Sequence, residues 1–273
     1  MNSRGLAAAF MACGLCIPWL AYAATSTSTS DDRIGVSLDG ATLTGTSGGG
    51  GGSLTWLHNF DANSLAGVAA EHQVLGNAHW TVGSLNGSLV LGPAEQRYGI
   101  YAEAHEGAGD DGPRAFHYAI EAVGVTGTFF HKLTAQFEDR QIDVEATHGN
   151  LPKAGLSYLW GPHLLTSVSY ARSVNGNLGT RLAAARIDVY GPVANLFAGV
   201  ALGPVSPTII LNFQSGSVPG RQLHEGYVGV TKPFPRLRGE LTLIADYQNL
   251  SGIKHATATL NYIFHIGHTG AAR

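Results

Sequence analysis

Apolar and polar residues alternate in run after run of this sequence, with a period of two. Between 237 and 247, every second position holds leucine, glycine, alanine or tyrosine, and the positions between hold mainly charged or hydroxylated residues. The pattern recurs in 97–105, 116–122, 141–146 and 255–266. Successive side chains of a β-strand point to opposite faces, so each run predicts a strand with one apolar and one polar face.

Residues that favour turns separate these runs at short intervals. Examples are Gly161-Pro162, Asn175-Gly176-Asn177 and Gly203-Pro204. They supply a positive φ, a fixed φ or a side chain that bonds the local backbone. Many short strands joined by such turns predict an all-β fold, either a sandwich or a barrel.

Residues 128–148 also fit a helix. They contain no glycine or proline, and Phe129, Leu133 and Phe137 fall at helical spacing. The same residues fit an alternation, and short runs are often ambiguous between the two structures. We interpret the segment as two strands with a turn at Glu138-Asp139-Arg140.

Residues 189–220 carry no charge over a length that exceeds the ~20 residues of a membrane-spanning helix. Pro192, Pro204, Pro207 and Pro219 interrupt the segment. A helix interior rarely tolerates so many prolines. We therefore expect two or three short strands here.

The first 23 residues have the features of a secretory signal peptide. A short basic start, Met1–Arg4, precedes the largely apolar stretch Gly5–Leu20, and Ala21-Tyr22-Ala23 supplies the small residues of a cleavage site. The polar residues 24–32 predict a flexible leader, and 33–273 a single domain. Both cysteines lie in the removed segment, which excludes a disulfide-stapled scaffold.

The composition suits a chain whose outer surface need not contact water. Charged residues make up 13%, against ~25% in ordinary soluble domains. The sequence has 37 glycines and a net charge of −3, so it carries no basic surface of the size that nucleic acids need. With 44% hydrophobic residues, it also has enough apolar content to fold.

These observations together predict an antiparallel transmembrane β-barrel over residues 33–273. An open sheet edge in hydrocarbon would leave backbone groups unpaired, so a membrane-spanning sheet must close. At roughly 20 residues per strand and connection, the length favours about twelve strands, within a range of 10–16. The charged residues opposite the apolar faces are then expected to face the lumen: Arg97, Glu103, Arg114, Glu121, Lys132, Arg186, Asp188, Arg238, Glu240 and Asp246.

The last strand-like run carries aromatic residues at alternate positions, Tyr262 and Phe264. This resembles the C-terminal signal of bacterial outer-membrane barrels, which implies recognition by the barrel-assembly machinery. Such chains usually stop on the final aromatic residue, whereas nine residues follow Phe264 here.

Two segments, YVGVTKPF at 227–234 and NYIFHIG at 261–267, resemble the C-terminal part of YaiO-type outer-membrane barrels. The resemblance covers about the last fifth of the chain. It implies a barrel of about twelve strands, in some cases linked to export of surface polysaccharide, and it carries over no catalytic residues.

A search for catalytic groups yields little. Ser167 and Ser169 lie near His163 in the sequence, but no His-x-Ser occurs of the kind expected in proteins resembling the lipid A deacylase. Nucleophilic catalysis needs a base within reach of the nucleophile and a third group that orients the base. The sequence supplies no such set, so we expect no enzyme; a barrel lipid hydrolase stays the alternative.

Three histidines near the C-terminus, His255, His265 and His268, could suggest a metal site. On one strand, however, His255 and His265 would lie ~33 Å apart. We interpret them as polar lumen or strand-end residues and predict no metal and no cofactor.

The sequence thus predicts an integral barrel of a bacterial outer membrane. We expect a passive pore, or the barrel component of a system that exports surface polysaccharide or small solutes. A structural or adhesive barrel without transport is a further alternative. The expected partners are outer-membrane lipid, the barrel-assembly machinery and components of an export system; nucleic acid is not expected.

Overall fold

The chain forms one antiparallel β-sheet that closes on itself. The computed structural model describes residues 31–45, 48–61, 63–76, 78–93, 96–110, 115–144, 147–205 and 221–266. The predicted signal peptide lies outside these ranges. The first strand begins at Asp31, two residues before the predicted start of the domain.

The strands follow one another around the wall, each pairing with its neighbours in sequence. They are β1 (Asp31–Leu43), β2 (Gly49–Asn59), β3 (Ser64–Leu75), β4 (Ala78–Leu91), β5 (Gln96–Asp110), β6 (Ala115–Phe129), β7 (Leu133–Val144), β8 (Thr147–Asn150), β9 (Lys153–Leu159), β10 (Leu164–Arg172), β11 (Arg181–Tyr190), β12 (Asn195–Val205), β13 (Arg221–Phe234), β14 (Gly239–Leu250) and β15 (Ile253–His265).

Pairing of β1 with β15 closes the sheet, and the ladder between β6 and β7 completes the circuit. The short strand β8 and strand β9 both pair with β7 in one continuous register, so they are two parts of one strand that is interrupted at Leu151-Pro152. The described residues therefore form a closed barrel of 14 strands. The prediction of a transmembrane-type barrel is confirmed, and its strand number is two above the favoured twelve.

Hairpin connectivity gives the barrel two distinct ends. Residues 31 and 265 lie at one end, together with the short connections 60–63, 130–132, 160–163, 191–194 and 235–238. We call this the terminal end. The opposite end, which we call the loop end, carries connections that include 173–180 and 251–252.

A belt of exposed apolar side chains surrounds the terminal part of the barrel. Every long strand contributes at least one outward-facing side chain to it. Examples, in strand order, are Leu38, Leu54, Val68, Leu85, Ile100, Val125, Phe137, Leu156, Val168, Ile187, Val200, Val228, Leu243 and Leu260. Such a belt around a closed barrel is the surface that lipid chains cover. Tyr262 and Phe264, the predicted assembly signal, stand on the same outward side of β15, with ring centroids 4.3 Å apart.

The polarity of the two faces reverses toward the loop end. There the outward side chains are polar and exposed: His72, Thr81, Glu106, His117, Gln141, Asp143, Arg172, Arg181 and His224. The inward side chains form a buried apolar cluster, which we call the apolar layer: Leu43, Leu75, Ala78, Trp80, Val82, Tyr118, Ile120, Ile142, Val144, Leu151, Ala171, Leu178, Leu182, Ala201, Val205, Leu223 and Leu250. This part of the barrel is built like a water-soluble β-barrel, apolar inside and polar outside.

Two predictions about secondary structure are tested here. Residues 128–148 contain no helix, as predicted, but the predicted turn at Glu138-Asp139-Arg140 is wrong because β7 runs straight through it. The turn lies earlier, at Phe130 and His131, which both adopt positive φ. In the segment 189–220, β11 ends at Tyr190 and β12 follows, and residues 206–220 lie outside the described part.

No helix in the described ranges combines the length and the apolar character needed to cross a bilayer.

The reversal of polarity predicts a position-dependent cost of placing a charge on the outer wall. Val125 and Ala119 both face outward on β6, one within the apolar belt and the other at the polar loop end. We expect Val125→Lys to lower the free energy of unfolding by about 2–4 kcal/mol in lipid vesicles, because the ammonium enters hydrocarbon.

Ala119→Lys is the matched control and is expected to cost less than about 1 kcal/mol. Urea titrations of both variants in the same vesicles measure the difference. Equal costs at the two positions would contradict the placement of the belt.

Candidate functional site: the interior of the barrel

Small polar side chains line the inner wall in the terminal part of the barrel. They are partly exposed, because no large neighbour covers them. They include Ser37, Thr55, Ser157, Ser169, Thr231, Thr242, Thr259 and Asn261. Fourteen strands spaced ~4.8 Å apart and tilted by ~40° enclose a wall roughly 27 Å across between backbones. Side chains of this size leave most of such an interior open to water.

A network of charged residues centres on Arg140 of β7. Its Nη2 lies 2.6 Å from Glu103 Oε1 and 3.1 Å from Glu138 Oε1. The Nζ of Lys153 is 3.9 Å from Glu138 Oε2. Arg140 and Glu138 are almost fully buried, so each depends on its partners: an isolated buried charge is strongly destabilising.

Tyr101 of β5 joins this network by crossing a strand. Its hydroxyl donates to Glu138 Oε2 at 2.6 Å and accepts from the Gln136 amide at 2.6 Å, both on β7. The ring passes directly over Gly124 of β6, where a Cβ would lie only 2.2 Å from the ring. Glycine is therefore required at 124 for β5 and β7 to bond across β6.

A second ion pair lies on β11, three strands away from β7 along the wall. The guanidinium of Arg186 on β11 donates twice to Asp188, with Nε 2.9 Å from Oδ2 and Nη2 2.6 Å from Oδ1. Its Cζ also stands 4.6 Å from the centroid of the Phe197 ring. Two parallel hydrogen bonds and a stacked ring hold the side chain in one orientation.

The predicted lumen residues can now be placed. Six stand on the inward side of their strands, and the first three of these belong to the networks above: Glu103, Arg186, Asp188, Asp246, Arg97 and Glu240. Arg114 lies outside the described residues.

Three of the predicted positions need correction. Glu121 is exposed on the outward side of β6, because its neighbours Ile120 and Ala122 belong to a stretch where the apolar face is the inner one. Lys132 and Arg238 are exposed in connections at the terminal end. The predictions assumed that the polar face is inward along the whole length of every strand, and the barrel does not keep that rule.

Glu121 instead borders a shallow groove of about 500 Å³ in the wall across β4–β8. Leu85, Ala104 and Val123 line it together with Asp139 and Gln141. The groove marks the height at which the outer surface changes from apolar to polar.

Sequence analysis missed a Ser–His contact inside the barrel. Ser84 of β4 and His105 of β5 are directly opposite one another, with Oγ 2.7 Å from Nδ1. The search for His-x-Ser considered one strand only, whereas this pair comes from two neighbouring strands. The alternation of each strand predicts an inward His105, but only the register brings Ser84 to it.

This pair does not assemble into a nucleophilic site. His105 Nε2 is 3.8 Å from Glu103 Oε1, beyond hydrogen-bonding distance, and Glu103 is already bound by Arg140. An oxyanion needs free donors, usually backbone amides, and the amides of both strands are engaged in ladders. His163, the base considered from sequence, contacts the Tyr190 carbonyl oxygen at 3.0 Å instead.

Among the residues with described positions, no group of three or more His, Cys, Asp or Glu side chains could hold a metal ion. His255 and His265 face inward at opposite ends of β15, and His268 lies outside the described residues.

Neither a known protein family nor a curated protein matches the sequence. Solved structures do match. The barrel is similar to CymD, a monoaromatic hydrocarbon channel, with a TM-score of 0.60, 10% identity and 89% of each chain covered. The fold is that of an outer-membrane β-barrel.

Two further solved structures have a similar fold. A deltaS2S3 mutant of the monoaromatic hydrocarbon channel TodX has a TM-score of 0.51 at 8% identity, covering 89% of this chain and 91% of that one. Omp33, an outer membrane protein of Acinetobacter baumannii, has a TM-score of 0.51 at 11% identity, covering 86% and 98%. At such low identity these similarities establish the fold alone.

The strand-crossing contact of Tyr101 predicts a strong effect of a single methyl group. Gly124→Ala is expected to displace Tyr101 and to lower the free energy of unfolding by about 1–3 kcal/mol, as overpacking does elsewhere. Gly226→Ala is the matched control, because a Cβ there meets nothing within 4 Å. Urea midpoints of both variants test this, and a Gly124→Ala variant as stable as the control would refute it.

The geometry around Ser84 predicts no activated serine. A fluorophosphonate probe should leave the refolded barrel unlabelled. Treatment should change the intact mass of neither the unmodified chain nor Ser84→Ala. Covalent labelling that disappears in Ser84→Ala but persists in Ser88→Ala would support the alternative function of a lipid hydrolase.

Proposed function

We propose that this chain is a channel of the bacterial outer membrane whose resting state is closed at the loop end. The observation that carries the proposal is the interior itself. Small polar side chains line its terminal part, which we call the vestibule, and this space ends at the apolar layer. The exposed apolar belt supports placement in a membrane, and the fold supports the outer membrane.

The vestibule favours passage over a purely structural role. A barrel that serves only as a support has no need to keep its interior open, and large side chains could fill it. Here serine, threonine and glycine line the terminal half, and the charged groups are drawn to the walls by their own partners. Water-filled space on one side of a barrier is the arrangement of a gated passage.

The apolar layer supplies the barrier. Side chains from ten strands meet in one cluster with Leu151, at the interruption of the wall, and Leu178, in the connection 173–180. Trp80, Tyr118 and Leu178 within it are nearly or fully buried. A hydrophobic constriction excludes ions and polar solutes because they would lose their hydration there. Opening the layer would connect the vestibule to the loop end.

Leu178 contributes to the layer from the connection 173–180 rather than from the wall. Hydrogen bonds hold this connection in place: Ser173 donates its N–H to the Thr180 carbonyl oxygen at 2.8 Å, and Asn177 donates its N–H to the His148 carbonyl oxygen at 2.9 Å. An inserted loop is easier to displace than a strand. We infer that movement of this connection opens the channel.

The finer assignments extend this proposal. Export of small solutes or of surface polysaccharide is the role suggested by the YaiO-type segments, with export-system components as partners. Tyr262 and Phe264 would be read by the barrel-assembly machinery. A structural or adhesive barrel would share the fold and the belt, but would show no passage under any condition.

The apolar layer predicts low conductance that one substitution raises. We expect the purified chain to give small, infrequent current steps in planar bilayers. Leu178→Ser should increase the open time at least tenfold, because a hydroxyl hydrates the layer at its inserted loop. Leu89→Ser, on the outer belt, is the control with unchanged conductance.

Each variant is first checked for heat-modifiable migration on a detergent gel, which reports a folded barrel. Large steady currents from the unmodified chain would contradict a closed resting state. Sealed bilayers for both the chain and Leu178→Ser would favour the structural barrel.

A further inference from the structure

Polar side chains interrupt the apolar layer on one side of the barrel. Five inward-facing residues on β13, β14 and β15 form this interruption, which we call the polar seam: Glu225, Asp246, Gln248, His255 and Thr257. Their strands place them side by side. Gln248 is opposite Glu225 on one side and His255 on the other, and Asp246 is opposite Thr257.

The seam lies at the level of the layer. Leu223 and Leu250 are paired two residues farther toward the loop end on the same inner face, and Leu43 of β1 is opposite His255. All three leucines belong to the layer. The seam therefore extends the polar inner wall to the level of the layer, and Leu223 and Leu250 lie beyond it toward the loop end.

The seam residues are buried, and several of their polar atoms have no partner. Asp246 is 4% exposed and His255 1%. Both carboxylate oxygens of Asp246, both ring nitrogens of His255, the Gln248 side-chain oxygen and the Thr257 hydroxyl lack a hydrogen bond among the described groups. Buried polar atoms are almost always paired, so a group of this size indicates a site where a polar solute or ion supplies the missing partner.

The charge of the seam residues indicates the sign of the charge that a bound solute would carry. Asp246 has no ion pair with any Lys or Arg in the described ranges. Asp39, inward on the neighbouring strand β1, and Glu71, inward on β3, lack such pairs too. Asp39 accepts instead from the Gln73 amide at 2.7 Å. The inward cations of the middle wall, Arg140, Lys153 and Arg186, are held by their own carboxylates.

We propose that the polar seam is a cation-selective path through the apolar layer, with Asp246 as its main recognition group. The inference deepens the proposed channel, since it names the class of solute that this route admits: small cations, whose positive charge the unpaired carboxylate stabilises and whose hydration the amide and hydroxyl oxygens replace. Anions are rejected by the same field. The proposal concerns access and sign, so it can be tested without measuring a current.

Single cysteines report that access. The chain has two cysteines, Cys13 and Cys16, both in the predicted signal peptide, so Thr257→Cys places one thiol in the seam and Ser169→Cys one on the vestibule wall. The refolded barrels react with a cationic trimethylammonium thiosulfonate or an anionic sulfonate thiosulfonate. The thiolate attacks the reagent's sulfur, a mixed disulfide forms and a sulfinate leaves. Rates are divided by those of the same reagents with a free thiol.

We expect the normalised cation-to-anion ratio at Thr257→Cys to exceed that at Ser169→Cys at least tenfold. Adding Asp246→Asn should reduce the ratio at Thr257→Cys severalfold and leave Ser169→Cys unchanged. Thr259→Cys, one step toward the vestibule on the same face, replaces Thr257→Cys if that variant does not show folded migration.

Three results would overturn the inference. They are no reaction in the seam while Ser169→Cys reacts, equal ratios at the two positions, and a ratio that Asp246→Asn does not change. Selective labelling in a barrel that never conducts would retain the seam and reject the channel, so the two proposals fail separately.

Discussion

Closure of the backbone hydrogen-bond ladder is the constraint on which the rest of this structure depends. A sheet in hydrocarbon cannot leave an edge, since each unpaired amide or carbonyl costs several kcal/mol there. The pairing of β1 with β15 removes the edge that the first and last strands would otherwise present. Once the wall is closed, every residue faces either the lumen or the surroundings, and the period of two becomes a division between inside and outside.

The residue types on the inner and outer faces change along the barrel axis. Around the terminal part, Leu54 and Leu243 face outward while Thr55 and Thr242 face inward, as lipid outside and water inside require. Near the loop end, the outward side chains are polar and the inward ones are apolar, which is the arrangement of a wall surrounded by water. The resulting apolar layer packs like an ordinary core, and in the proposed channel it closes the lumen.

The interior is organised by contacts that skip a strand. Arg140 reaches Glu103 across Ala122, and Tyr101 reaches Glu138 across Gly124. A small residue on the middle strand makes each contact possible, and each contact draws a charged or bulky group to the wall. The vestibule stays open because these groups bond to their neighbours around the circumference rather than across the lumen. In the polar seam, the Asp246 carboxylate and the His255 ring lack such partners among the described residues.

The sequence by itself determined the strands, their two faces and the apolar belt, since alternation is a local property of the chain. It was enough to identify a barrel and to place Glu103, Arg186 and Asp188 on inward sides. It misplaced Glu121, because an alternating run does not reveal whether its apolar face meets lipid or a core. The tertiary structure alone decided the strand number, the reversal of polarity and the meetings of Arg140 with Glu103 and of Ser84 with His105. These depend on register between strands, and a shift of one residue would turn every side chain to the opposite face.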